Sequence, residues 1–123
     1  RQAGALLALN PQPFDLVLLG MGADGHFASL FPGAANVAEG LAMESGLDAI
    51  ATTPVPLPPE APYARISLTL PRLLRARDVH LMVAGEDKRR VLRRAQQQDG
   101  EGGHPVAALL HARDHRIHIH WSP

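Results

Sequence analysis

The segment FDLVLLGMGADGHFASLFPG, residues 14–33, constrains the fold more than any other part of the chain. A short apolar run, Leu16 to Leu19, follows Asn10, Pro11 and Pro13 and stops at Gly20, as expected of a strand buried on both faces. Gly20, Gly22 and Gly25 then place three residues tolerant of positive φ close together, so the backbone can turn tightly and bring amide N–H groups toward a ligand. Asp24 and His26 ride on that bend. The next residues, HFASLF, are predicted to form one or two helical turns closed by Pro32 and Gly33. That would set His26 near a helix N-terminus, where unpaired N–H donors favour negative charge.

Gly20 to Gly25 spells G-x-G-x-x-G, the dinucleotide-binding pattern, and it follows a predicted strand. The context does not support that use. A dinucleotide unit needs a crossover helix after the last glycine and then a strand ending in an acidic residue that holds the ribose. Pro32 and Gly33 stop the helix early, and Glu39 and Glu44 lie in an Ala- and Gly-rich segment without a β-branched run.

Upstream, Ala3 to Leu9 is rich in helix formers and reads as the last turns of a helix stopped by Asn10 and Pro11. Downstream, a short strand is predicted at Ala49 to Thr53. TTPVPLPPEAP follows and excludes helix; a loop on the rim of a site and a plain solvated connector are both open readings. Arg65 to Leu70 alternates Ile66, Leu68 and Leu70 with Ser67 and Thr69, predicting a strand with one apolar face and hydroxyls toward a cleft. LPRLLRAR then reads as a short amphipathic helix with three arginines on its wet side, ended by Asp78. Val79 to Ala84 is a second apolar strand, Gly85 turns the chain, and Glu86 and Asp87 open a basic helix carrying Lys88, Arg89, Arg90, Arg93 and Arg94, whose arginines read as a solvated face with i to i+4 partners. After a polar loop at 96–103, Pro105 starts a short helix over Val106 to His111. Arg116 to Trp121 is the last strand, with Ile117, Ile119 and Trp121 on one face and His118 and His120 on the other. Those two histidines, with His104, His111 and His115 nearby, raise the question of a metal. No carboxylate or thiolate completes a set at ligand spacing, so an exposed histidine face and no metal site is the expectation.

The alternation of strands and helices predicts an α/β fold, layered, with a largely parallel sheet flanked by helices, over a single domain at 1–123. In such sheets ligands sit beyond the carboxyl ends of the strands, so Gly20 to His26 and Gly85 to Lys88 should share one edge. Twelve basic and twelve acidic residues leave no net field to attract nucleic acid or an anionic membrane, and no apolar run is long enough for a membrane span. The absence of cysteine excludes disulfides and thiolate metal sites and fits a cytoplasmic setting.

Taken whole, LGMGADGHFASLFPG resembles the signature of the 6-phosphogluconolactonases, within the sugar-phosphate isomerase and deaminase superfamily. ARISLTLPRLLRARDV, LMVAGEDKRRVLRRA and IHIHW resemble later blocks of that family in order and spacing. The resemblance covers nearly all of the chain but about half of the family's usual length; the Gly-rich phosphate loop and an Asp-Glu-Arg segment found upstream in the family are not among these residues. It implies the C-terminal half of a lactonase domain, incomplete at the N-terminus. The implied reaction is hydrolysis of 6-phosphogluconolactone to 6-phosphogluconate in the pentose phosphate pathway, without a cofactor. The implied partner is a small sugar-phosphate lactone.

Lactone hydrolysis needs a base for water, donors for the oxyanion and an anchor for the phosphate. An imidazole exchanges protons near neutrality, which makes His26 the candidate base. Asp24, two residues away, is a candidate to hold the imidazole's tautomer or to cap the short helix. The backbone at Gly20, Gly22 and Gly25 offers oxyanion donors. The resemblance places Arg65 and Lys88 at the phosphate, one as a bidentate contact and the other as a point charge. Ser29 lacks the nucleophile-elbow pattern. Two rival readings are a non-catalytic sugar-phosphate binding fragment and a glucosamine-6-phosphate deaminase. For the deaminase, an Asn-Glu-Pro segment would follow the turn, and here Phe31 stands in place of that Glu, with no proton to transfer.

Overall fold

The computed structural model describes residues 2–57, 59–60, 62–97 and 104–123; the polar loop expected at 96–103 falls mostly outside them. Helix α1 (Gln2–Ala8) leads into strand β1 (Phe14–Gly20), and Asn10, whose side chain donates to Leu6 O at 2.9 Å, closes the helix. A short helix α2 (Val37–Leu41), which the Gly-punctuated sequence does not advertise, precedes β2 (Ala49–Thr52). Then come β3 (Arg65–Leu68), α3 (Leu70–Leu74), β4 (Ala76–Ala84), α4 (Glu86–Gln97), α5 (Pro105–Leu110) and β5 (Ile117–Ser122).

β1, β4 and β5 form a parallel sheet with β4 in the middle. Its pairing sets Val17 beside Val79 and Leu19 beside Leu81 on one face, continuing to Ile117 and Ile119 of β5. That face is the core: Val17, Leu19, Val79, Leu81 and Val83 are buried with Leu92 and Ala95 of α4 and Val106, Ala107 and Leu109 of α5. Amphipathic spacing drives this, since α4 turns Leu92 and Ala95 inward while its acidic first turn and arginines stay wet.

The opposite face carries Leu16, Leu18, Asp78, His80, Met82, His118 and His120, because side chains alternate along each strand. Leu16 is 53%, Leu18 64% and Met82 51% exposed. The expectation of a β1 buried on both faces is therefore corrected: the described helices cover one side of the sheet, and an apolar run cannot by itself tell one covered face from two.

β2 and β3 pair antiparallel as a separate two-stranded sheet. Here the expected alternation holds for Leu68, packed against the core, and buried Leu70, but fails at Ile66, Ser67 and Thr69. Ile66 is 65% exposed, while Ser67 and Thr69 are buried. Hydrogen bonding accounts for it: Ser67 Oγ donates to Leu68 O at 2.9 Å and accepts from Ser29 N at 3.1 Å, and Thr69 Oγ1 donates to Leu47 O at 2.6 Å. A satisfied hydroxyl is tolerated inside where an unsatisfied one is not. Thr69 is also the N-cap of α3, accepting from Arg72 N, and Pro71 occupies the first turn.

The wet side expected for α3 is corrected as well, for Arg72 is 2% exposed. Its Nη2 donates to Asn10 O at 2.8 Å, and its guanidinium lies 4.7 Å from the centre of the Phe14 ring. Carbonyls and an aromatic face replace a carboxylate as its partners. On α4 the ion pairs are Arg89 with Glu86 and Arg90 with Asp87, at i to i+3 spacing rather than i to i+4. Trp121 donates through Nε1 to Gly85 O at 3.1 Å and lies under the Arg89 guanidinium, pinning β5 to the turn after β4. Among the described residues no helix is long and apolar enough to cross a membrane.

Candidate active site

The chain leaves β1 at Gly20 and turns back at once. Gly25 N donates to Gly22 O at 3.0 Å and Gly22 N to His26 O at 2.9 Å, and bridges join Met21 to Phe27 and Phe27 to Leu30. Residues 26–31 are therefore a knot of turns and bridges, and the helix expected for HFASLF does not form. Phe27 and Leu30, both fully buried, anchor the knot in the core. Local hydrophobic anchoring prevails over a weak helical propensity across six residues. The helix N-terminus expected beside His26 is absent with it.

The glycines have different tasks. Gly25 sits at φ 82° with its carbonyl accepting from Val106 N at 2.9 Å. A Cβ on Gly22 would lie 2.2 Å from Cε1 and 2.3 Å from Nδ1 of His26, so Gly22 is where the imidazole approaches the backbone. The Gly22 and Gly25 amides, offered by the sequence as oxyanion donors, donate within the turn and shape it. Of the three, only Gly20, paired with Met82 at the end of β1, lies outside the turn's own hydrogen bonds.

Asp24 contacts both the ring and the backbone of His26, and the short helix it was a candidate to cap does not form. Its Oδ1 accepts from His26 N at 3.1 Å and stands 2.5 Å from His26 Nδ1. With Nδ1 donating to the carboxylate, Nε2 carries the lone pair that can accept a proton. The His26 side chain is 30% exposed, so the ring is fixed on one edge and open on the other. Phe31 packs against it with ring centres 4.6 Å apart, and Arg65 lies 5.2 Å from the centre of that same Phe31 ring. Phe31 is buried, an apolar wall where a deaminase would need an acid.

Two clefts meet at His26. One, of about 390 Å³, is bounded by Asp24, His26, Phe31, Arg65 and Glu60 together with Pro54, Val55 and Pro56. The proline-rich segment is thus the rim of the site. The other cleft, of about 430 Å³, runs from Leu18 and Gly20 past Gly22 and His26 to Lys88. Lys88 lies in the first turn of α4, after Gly85 bends the chain at φ 92°. The two strand ends share one edge as expected, with His26 between the two cations.

Two participants were not legible beforehand. Glu60 sits among prolines with nothing in its spacing to single it out. His104 Nδ1 lies 3.2 Å from Asp24 O and packs behind Gly25, where an added Cβ would meet it at 2.7 Å. A histidine 80 residues away in sequence gives no local signal that it braces this turn.

The family profile described as glucosamine-6-phosphate isomerases/6-phosphogluconolactonase matches residues 1–121. A 6-phosphogluconolactonase of Caulobacter vibrioides is 39% identical over 110 residues, covering 89% of this chain and 45% of that protein. The human GDH/6PGL endoplasmic bifunctional protein is 43% identical over 91 residues, 74% of this chain and 10% of its own length. Among solved structures, a 6-phosphogluconolactonase from Shewanella baltica superposes with a TM-score of 0.85 at 35% identity, over 99% of this chain and 50% of that one. The chain spans about half the length of the lactonases it matches. With its largely parallel α/β sheet and the imidazole-bearing turn at the sheet's edge, it belongs to the glucosamine-6-phosphate isomerase/6-phosphogluconolactonase family.

Proposed function

We propose that this chain carries the catalytic turn of a 6-phosphogluconolactonase within a single α/β domain at 1–123, acting on a sugar-phosphate lactone in the cytoplasm. His26 is the general base. Its Nε2 removes a proton from water as the water oxygen bonds to the lactone carbonyl carbon, and returns it to the ring oxygen as the C–O bond breaks. Asp24 keeps Nδ1 protonated and offsets the charge the ring gains. Lys88 and Arg65, in the two clefts that meet at His26, hold the phosphate and fix which bond faces the base. The reaction adds water across an ester bond and moves no electrons, so it calls for no redox cofactor.

The observation that carries this reading is the 2.5 Å contact between Asp24 Oδ1 and His26 Nδ1 on a ring whose other edge faces a cleft. Supporting it, lactonases are the relatives with which the chain shares most of its length. A second reading, a sugar-phosphate binding fragment without turnover, rests on the chain spanning about half of those relatives.

The decisive experiment follows proton release from 6-phosphogluconolactone. It compares this chain with a chimera that adds the part of the Caulobacter vibrioides lactonase the chain does not match. Turnover in either, abolished by His26→Ala with circular dichroism unchanged, is the expected result. Undiminished turnover in His26→Ala removes the proposed base. Binding without turnover in both versions leaves the non-catalytic reading.

A further inference from the structure

We propose that Asp78, His80 and His118 form a binding site for a divalent transition-metal ion of the zinc class on the face of the parallel sheet opposite α4 and α5, with His120 positioning His80. One ligand atom from each of the three residues lies within 4.8 Å of the others. Bonds of about 2.0–2.2 Å to a tetrahedral ion bring such atoms to roughly 3.4 Å of one another, a closure of up to about 1.4 Å that side-chain rotation supplies.

The strands make this constellation rigid. His80 of β4 pairs directly with His118 of β5, and Asp78 precedes His80 by two residues, on the same face. The carboxylate that the sequence around His118 and His120 lacks thus arrives from the neighbouring strand. Sites built on strands hold their ligands more closely than sites on loops.

The imidazoles are arranged for a metal rather than for solvent alone. His80 stacks on His118 with ring centres 4.7 Å apart and on His120 at 5.1 Å, the planes inclined by 19° and 14°. His80 Nδ1 lies 2.8 Å from His120 Nε2. That contact needs a hydrogen on one nitrogen and a lone pair on the other, so at least one of the two rings is neutral, and neutral imidazole is the ligating form. A metal-bound histidine is held by a hydrogen bond at its other ring nitrogen, which is the role assigned to His120. Two nitrogens and one oxygen favour zinc, cobalt or nickel over calcium and magnesium, which take oxygen ligands. Three protein ligands leave a fourth position for water. Asp24 and His26 do not belong to the set.

The test uses the 123-residue chain without a histidine tag, titrated with Zn²⁺ by calorimetry and with Co²⁺ by visible absorption. One equivalent should bind, with Co²⁺ giving the intense bands of a tetrahedral site. His80→Ala and His118→Ala should each abolish that equivalent, and Asp78→Asn should weaken it at least about tenfold. His120→Ala should weaken it about 10- to 100-fold, as loss of an orienting partner does. The double variant H111A/H115A should bind as the unaltered chain does. If an alanine variant loses its circular dichroism signal, the isosteric Asp78→Asn at its exposed position decides. Absence of saturable binding, binding unchanged in Asp78→Asn, or binding lost in H111A/H115A would each overturn the site.

Discussion

The turns after β1 and after β4 leave the same edge of one sheet and solve different problems. The first, Gly20 to His26, stays out of helix, is closed by its own amides and is braced from behind by His104 and Val106. It gives the His26 ring one orientation. The second bends once at Gly85 and launches α4, a helix of 12 residues that carries Lys88 as a charge on a flexible stem. A base must be aimed to within a fraction of an ångström, whereas a cation that anchors a phosphate works over a range of positions. The structure therefore has its most constrained backbone under the His26 imidazole and ordinary helix under the Lys88 ammonium.

Substitutions in the two turns should separate these roles, measured in whichever version of the protein turns over. Asp24→Asn, isosteric but no longer able to fix the imidazole's charged form, should lower kcat by about 10²- to 10⁴-fold with little change in KM. A kcat within threefold of the unaltered protein would reduce Asp24 to a backbone brace. Gly22→Ala puts a methyl group where the His26 ring lies and should displace it, costing about 10²-fold in kcat. Should kcat hold while the fold stays intact, the ring position seen here is not the working one. For Lys88→Ala the effect belongs in KM, raised about tenfold with kcat nearly constant, as loss of a charge-assisted contact made equally in ground and transition states requires. The smallest change is expected from Gly85→Ala, the counterpart of Gly22→Ala. Its Cβ meets nothing within 4 Å, leaving a left-handed backbone strain of about 1–2 kcal/mol. That should appear as a melting temperature lower by roughly 3–8 °C with catalysis unchanged; a loss of activity would show that the second turn is aimed as tightly as the first.

How much of this could be read in advance depended on whether the deciding interaction was local. The strand at 14–20, the basic helix after Gly85 and the strand ending at Trp121 follow from short-range periodicity and turn residues, and the structure has them within a residue or two. Asp24 and His26, two positions apart, were legible as a pair because a glycine-rich bend can do little except bring them together. The misreadings were long-range. Ser67 and Thr69 look solvent-facing until Ser29 and Leu47 arrive as partners, and Arg72 looks wet until Asn10 and Phe14 close over it. HFASLF looks helical until Phe27 and Leu30 are drawn into the core. Likewise the carboxylate beside His118 is invisible along the chain and evident only across the sheet.

The strand order has a further consequence for how the molecule comes apart. Among the described residues β4 is flanked on both sides, while β1 and β5 each have a single neighbour, so fluctuations can peel either outer strand without breaking the middle one. Amide protons of Val79, Leu81 and Val83 will therefore be the last to trade with solvent deuterium, and those near Gly20 will trade earlier. The turn that bears the His26 imidazole thus hangs from an outer strand, and the one that bears Lys88 from the middle strand.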